Sequence, residues 1–589
     1  MAARNFQPEP KHRIQFTALS SAQIDDRLAP AIAAGPSSAS RFADGHVGQG
    51  LKIVTDDGPT LEYDFRSERE LSVSENGNAA LSAGYGALEL KQLMVLSHLV
   101  PGTQRGYHVI VDRDSRLATV FETWFSGYED NREVQRQVYY GYVEQDGQEA
   151  PTARHHITNR LEGKGVYWKQ DNEVETLDFY CSVIFSNFIE LTRSGGELTY
   201  AGPSDYIMIN DHQFIYSRVE AEFSGIMTLY ALDLHAMKQA GLRLGFDEQD
   251  ALEYYMFNGT GEVTGQIATF EVFGDNGEEI AYGNRARPTE KGQRLVYRPL
   301  DTFPVMTDEQ VRDQVLNHAH AFGDGAGSGA GGMGGYKSER VEKLVGKSVA
   351  VKMEGGGPQL EYVFDEGLKL RWRHAGDSNW REAFYEMYEP DDELYFFAHF
   401  LDAEFPRSCA MVALDMKNGL STVIKGTTGT PYRNNETTPH YYFGTFEMEG
   451  GPVAPRYLRH GWTDELVGEA VTWNYQPSPQ AGTPGLSSMH LYLTPHTYSW
   501  VIFLGNGSGG MQWTSPGWYS KVRDNVYIMA WVEEACNGTL GVICFNKKTM
   551  HDAGFGYHVG PDGLSLSVIG ARARHAGKFD IEPYLGIKA

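Results

Sequence analysis

A chain of 589 residues, 41% of them apolar, is long enough for about three to five domains with conventional cores. Its formal charge of -26 repels a phosphate backbone and no basic stretch interleaved with aromatics offsets it, so nucleic acid is not an expected partner. Four cysteines, Cys181, Cys409, Cys536 and Cys544, show no Cys-x-x-Cys spacing, which disfavours zinc, iron–sulfur clusters and a disulfide framework.

Residues 1–44 read as an arm holding at most one short helix, near Ser21 to Leu28. The first residues lack the apolar core of a signal peptide, and no run approaches the roughly eighteen apolar residues of a membrane span. The expected setting is a reducing cytoplasm, with no membrane partner.

Over residues 45–150, runs such as Leu61-Glu-Tyr-Asp-Phe65, Tyr107-His-Val-Ile-Val111 and Val138-Tyr-Tyr-Gly-Tyr-Val143 alternate in polarity, with Gly, Asp or Asn between them. That pattern predicts antiparallel strands. Residues 151–285 continue it, and the natural closure of two such up-and-down units is a pair of barrels. Residues 286–339 form a connector. It contains a helix starting at Thr307, with Asp308 and Glu309 in its first turn, and then the run from Gly323 to Gly335. No strand precedes that run and no helix opens within it, so it reads as a linker rather than a dinucleotide loop. Residues 340–455 and 456–589 repeat the strand pattern.

The repetition is literal. Asp205 to Gly241 aligns without a gap on Trp518 to Gly554, with nine identities in thirty-seven positions, among them Tyr206/Tyr519, Glu220/Glu533 and Gly225/Gly538. Other blocks keep the same order: Pro59 to Phe65 with Pro358 to Phe364, Tyr139-Tyr-Gly141 with Tyr442-Phe-Gly444, and Arg154-His155 with Arg459-His460. The chain is therefore read as a tandem duplication with about 240 residues per copy. The first copy departs at Ile157, Arg160 and Arg218, where the second has Trp462, Glu465 and Trp531.

The blocks Leu360-Glu-Tyr-Val-Phe364, His460 to Gly468 with Val471-Thr-Trp473, and Tyr519 to Glu533 resemble the MoaF family, "molybdenum cofactor biosynthesis protein F", and the second half is the closer match. The resemblance implies an N-terminal and a C-terminal calycin-like barrel in each half. The predicted fold is thus mainly β, a tandem duplication of a two-unit calycin-like antiparallel barrel module with a Gly-rich linker between the halves. Such barrels bind hydrophobic small molecules in an aromatic interior. Phenolic acid decarboxylases, built on a similar small barrel, use Tyr, Arg and Glu there, a likeness of fold alone. No pterin chemistry follows from the family name.

Four residues are candidates for proton transfer. His399 alternates with Tyr395 and Phe397 in an apolar strand, which fits either an acid–base imidazole or a core histidine bonded to backbone. His460 stands in His-x-x-Thr before a β run and recurs as His155. Glu533 follows an apolar run and recurs as Glu220; facing inward it would be desolvated and fit for proton transfer, facing outward it would be an edge charge. His440 has Gln137 as its counterpart. Tyr395, Tyr442, Trp462, Tyr519 and Trp531 are the candidate aromatic binding residues. Adjacent His155 and His156 point to opposite faces of a strand and His318-Ala-His320 lies on a helix, so no metal or other cofactor is expected. The expected function is a cofactor-independent lyase or isomerase, decarboxylase- or dehydratase-like, acting on a small aromatic, phenylpropanoid-like compound. A non-catalytic carrier or sensor of a small hydrophobic ligand is the alternative, and a homo-oligomer stays open.

Overall fold

The computed structural model describes residues 19–125, 132–158, 160–181, 185–194, 199–220, 225–247, 249–268, 306–322, 333–428, 437–476, 486–504, 512–533, 538–560 and 562–587. The first residues of the arm, most of the Gly-rich run and Cys536 lie outside them. The fold is mainly β, with four antiparallel eight-stranded barrels in tandem.

The first barrel, from Gly50–Thr55 to Val134–Glu144, closes by pairing those two strands, Ile53 opposite Val143. Its strand Thr60–Phe65 shows the expected alternation: Leu61, Tyr63 and Phe65 are buried while Glu62 and Asp64 are exposed. The seam dictates one residue. A Cβ at Gly141 would lie 2.2 Å from the Val54 carbonyl, and one at its counterpart Gly444 would lie 2.1 Å from that of Lys352. Only glycine lets the closing strands approach so closely, which explains the shared aromatic-aromatic-Gly signature.

The second barrel closes through the long strand Leu252–Gln266, which pairs with both Lys164–Gln170 and Lys238–Phe246. In the second copy one strand of each ring is broken in two. The third barrel splits at Tyr385, between Arg381–Phe384 and Glu386–Asp391. The fourth splits between Gly563–Ile569 and Arg572–Lys578.

Within each copy the barrels pack wall to wall. Ile110 and Phe121 of the first meet Ile215 and Leu229 of the second, and the helix Ser21–Ala34 seals the seam with Ile24 and Leu28. Each fully buried side chain of this kind contributes about 1.5–3 kcal/mol of transfer free energy. A capping box at Ser20 and Gln23 starts that helix. In the second copy Phe396 and Met411 meet Ile528 and Val542, and the helix Asp308–Asn317, capped by Thr307, inserts Val311 and Val315. Among the described residues no helix is long and apolar enough to cross a membrane.

The two copies join through barrels two and four, where Leu177, Phe179 and Ile189 pack on Leu491, Val501 and Phe579. Asn187 crosses this interface: its buried Nδ2 donates to Ser499 Oγ at 2.9 Å and to Thr514 Oγ1 at 3.2 Å. Asn187→Ala is expected to cost about 1 kcal/mol, the lower end of the range, because Ser499 and Thr514 also bond each other at 2.8 Å. A shift in thermal midpoint with an unchanged far-ultraviolet spectrum checks this.

Candidate functional site

The strand faces decide where each candidate goes, and they send the candidates to three different places. His399 points into the third barrel with Tyr395 and Tyr442 among the side chains of that core or packed against it. Both of its ring nitrogens are engaged, Nδ1 with the Phe400 carbonyl at 2.7 Å and Nε2 with Tyr362 Oη at 3.1 Å. Burial lowers its pKa to about 4, so the imidazole is neutral, donating to the carbonyl and accepting from the phenol. His98 makes the same two bonds in the first barrel, to Leu99 O and Tyr63 Oη.

His460 lies where the third barrel hands over to the fourth. Its Nδ1 is 2.8 Å from Thr422 Oγ1 and its Nε2 3.6 Å from Asp415, and burial lowers its pKa. His155 repeats the contact with Thr119 at 2.8 Å. Trp462 packs beside it, 4.9 Å from the Tyr441 ring. His440 sits opposite Lys425 on the third barrel, half-buried, with its pKa lowered by burial first and by that lysine second.

Glu533 goes elsewhere, to one end of the interior of the fourth barrel. Along its strand Met529 and Trp531 face inward, and Glu533 follows at the same spacing of two. Trp500 Nε1 donates to Glu533 Oε1 at 2.7 Å, Ser515 Oγ to the same oxygen at 3.1 Å, and Tyr498 Oη to Oε2 at 3.2 Å. All three donors are neutral. Burial of the carboxyl outweighs them and pushes its pKa up to about 7, although the residue keeps some accessible surface. Around it stand Tyr519, Trp531, Tyr492, Trp473 and His490, whose Nε2 lies 3.2 Å from Tyr475 Oη. A second inward carboxyl, Asp552, is fully buried. It accepts the Ala571 N–H, has no partner for Oδ2 among the described residues, and is also pushed up to about 7 by burial.

The structure thus joins Glu533 to Tyr519 and Trp531, and separates this group from His399, Tyr395 and Tyr442 in the other barrel. It adds His490, Tyr498, Trp500 and Asp552, which the sequence reading did not single out as acid–base machinery. Among the described residues no group of three or more His, Cys, Asp or Glu side chains is placed to hold a metal.

The same end of the second barrel has the same scaffold and opposite electrostatics. Strand registers equate Asp178 with His490, Phe188 with Trp500 and Arg218 with Trp531. There Arg218 is paired with Asp178 and lies 3.6 Å over the Phe188 ring. Glu220, the counterpart of Glu533, is clamped by Arg243, which also holds Glu253. Gly556 stands where Arg243 would be in the fourth barrel. One barrel neutralises its carboxylates with guanidinium groups; the other leaves its glutamate without a cation among the described residues.

Residues 326–430 match the model of the MoaF N-terminal domain and residues 460–578 that of the MoaF C-terminal domain. No curated protein sequence matches. Among solved structures, a Burkholderia vietnamiensis protein provisionally named a beta-lactamase aligns with 17% identity over 19% of this chain and 99% of its own, TM-score 0.15. A Nostoc punctiforme protein of the DUF3598 family, of unknown function, aligns with 10% identity over 36% of this chain and 93% of its own, TM-score 0.21. Scores this low carry no argument about activity.

Proposed function

From the match of the second half to the two MoaF domain models we propose that its C-terminal barrel is a proton-transfer site acting on a small aromatic compound as a cofactor-independent lyase or isomerase. The observation that carries this reading is Glu533, a carboxyl with a pKa near neutrality, no neighbouring cation among the described residues and three neutral donors fixing its orientation. Such a group is about half protonated near neutral pH, which is the condition for efficient general acid–base catalysis there.

Glu533 would transfer the proton, while Tyr498, Trp500 and Ser515 hold its carboxyl. Tyr498 stays a neutral phenol because burial, and the nearby carboxyl, push its pKa well up. Trp531, Tyr519 and Tyr492 offer ring faces to an aromatic substrate. In a decarboxylase- or dehydratase-like cycle, the breaking C–C or C–O bond leaves its electron pair in the conjugated side chain, or takes it away on the departing oxygen. Glu533 then gives its proton to that carbon or oxygen. After decarboxylation Glu533 is reprotonated from solvent through its accessible surface; after loss of water it takes back the proton that the neighbouring carbon sheds as the C=C bond forms.

The rival reading is a carrier whose aromatic interior merely holds the ligand, and it is favoured by the histidines His98 and His399, whose ring nitrogens are committed inside the protein in both copies. The two readings separate on incubating the protein with phenolic acids and lignin-type dimers and following each bound ligand by native mass spectrometry. A bound aromatic that loses carbon dioxide, water or formaldehyde is the expected outcome. A ligand that stays bound and unchanged for hours overturns catalysis and leaves a binding protein.

A further inference from the structure

The end of the second barrel opposite Glu220 opens into a cleft of about 580 Å³. Arg160, Lys164, His212 and His235 line it, together with Asp211 and Phe214. Asp211 is the one carboxylate among them, and Arg160 reaches it at 2.7 Å while staying about half exposed. Lys164 is more sheltered. Its Nζ donates to the Arg160 carbonyl, burial lowers its pKa, and no carboxylate contributes to that shift. The His212 and His235 rings meet edge to face at 5.7 Å. In a chain of net charge -26 this is a local excess of cationic and N–H donor groups.

The duplicated copy shows that the excess is not required by the fold. Arg160 and Lys164 correspond to Glu465 and Glu469, and there each carboxylate is answered from within. Glu465 takes Lys521 and Tyr527 Oη, both at 2.8 Å, and Glu469 takes Lys547 at 2.8 Å and His575 at 2.9 Å. The positions of Lys521 and Lys547 are occupied by Met208 and Leu234 in the first copy. The charge at these two positions is therefore reversed; Arg160 keeps Asp211 as its partner, whereas Lys164 has no carboxylate partner among the described residues. A cation sheltered from water without a counter-ion destabilises the empty cleft, and an incoming anion relieves that cost.

We propose that this cleft is a binding site for a small oxyanion, the phosphoryl or carboxylate group of a metabolite, held by Arg160 and Lys164 with the two imidazole rings at its rim. The site is independent of Glu533 and lies in a different barrel.

Isothermal titration of the full-length protein at low ionic strength, with inorganic phosphate in one arm and acetate in the other, tests it. Saturable binding of at least one anion is expected, and the arm that binds names the chemistry. Arg160→Glu together with Lys164→Glu installs the residues native to the other copy, and should weaken binding at least tenfold. Lys164→Arg keeps the charge and should retain it, which separates loss of the site from loss of the fold. Glu533→Gln should bind as the wild type does, so failure of the catalytic reading leaves this result readable. No saturation by either anion, or equal affinity in the doubly acidic variant, overturns the proposal.

Discussion

Replacing Glu533 with glutamine should lower turnover of the barrel's substrate by roughly 10²–10⁴-fold while leaving its binding nearly unchanged, the loss typical of a missing general acid–base. Glutamine preserves the shape: its amide oxygen can still accept from Trp500 and Ser515, while its NH2 would donate to the Tyr498 oxygen in place of accepting from it, so the aromatic surroundings are kept. The pH profile adds a second signature: a limb of kcat/KM with its midpoint at about pH 7 belongs to Glu533 and should vanish in the variant.

Stability should move in the opposite direction. A carboxyl whose pKa is raised from 4.5 to about 7 binds a proton in the folded chain that the unfolded chain has already lost. Between those values stability therefore falls as pH rises, by up to about 3 kcal/mol if the full shift is realised. At pH 8 the glutamine variant should melt above the wild type, and at pH 5 the gap should close. Equal thermal midpoints at pH 8, with turnover intact, would remove Glu533 from the mechanism.

The architecture was legible because a duplication prints each strand twice. The gapless match of Asp205–Gly241 on Trp518–Gly554 maps hairpin on hairpin, with Tyr206 opposite Tyr216 just as Tyr519 is opposite Met529. Glu533 was legible in the same way, through Glu220. Its partners were not. Tyr498 and Trp500 lie on a strand whose correspondence is offset by one residue from that match, since Phe185 equates with Thr497 while Tyr206 equates with Tyr519. The decisive difference between the copies, an arginine at 243 and a glycine at 556, lies two residues past the end of the matched segment, and its pairing with Glu220 spans an intervening strand, a contact that the sequence match does not show. The surroundings of the histidines were hidden for a related reason. Their recurrence reflects contacts repeated in each barrel, His98 with Tyr63 and His399 with Tyr362, and alternation alone does not show that both ring nitrogens are already engaged.

That difference between the copies has an energetic consequence in the second barrel. Arg218→Leu would leave Asp178 fully buried with the Thr176 hydroxyl, at 2.8 Å, as its remaining hydrogen-bond donor among the described residues. Removing one member of a buried ion pair strands the other charge, at a cost of about 3–5 kcal/mol. Replacing both, as Asp178→Leu with Arg218→Leu, removes the stranded charge and should recover most of that loss. The midpoint of urea unfolding for the single and double variants checks the sign, and equal losses would show that the packing of Arg218 over Phe188 outweighs its charge. Turnover assigned to the fourth barrel should be unchanged in the double variant once it is folded. That outcome would make the ion pairs of the second barrel part of its stabilising interior, separate from the proton-transfer site proposed for the fourth barrel.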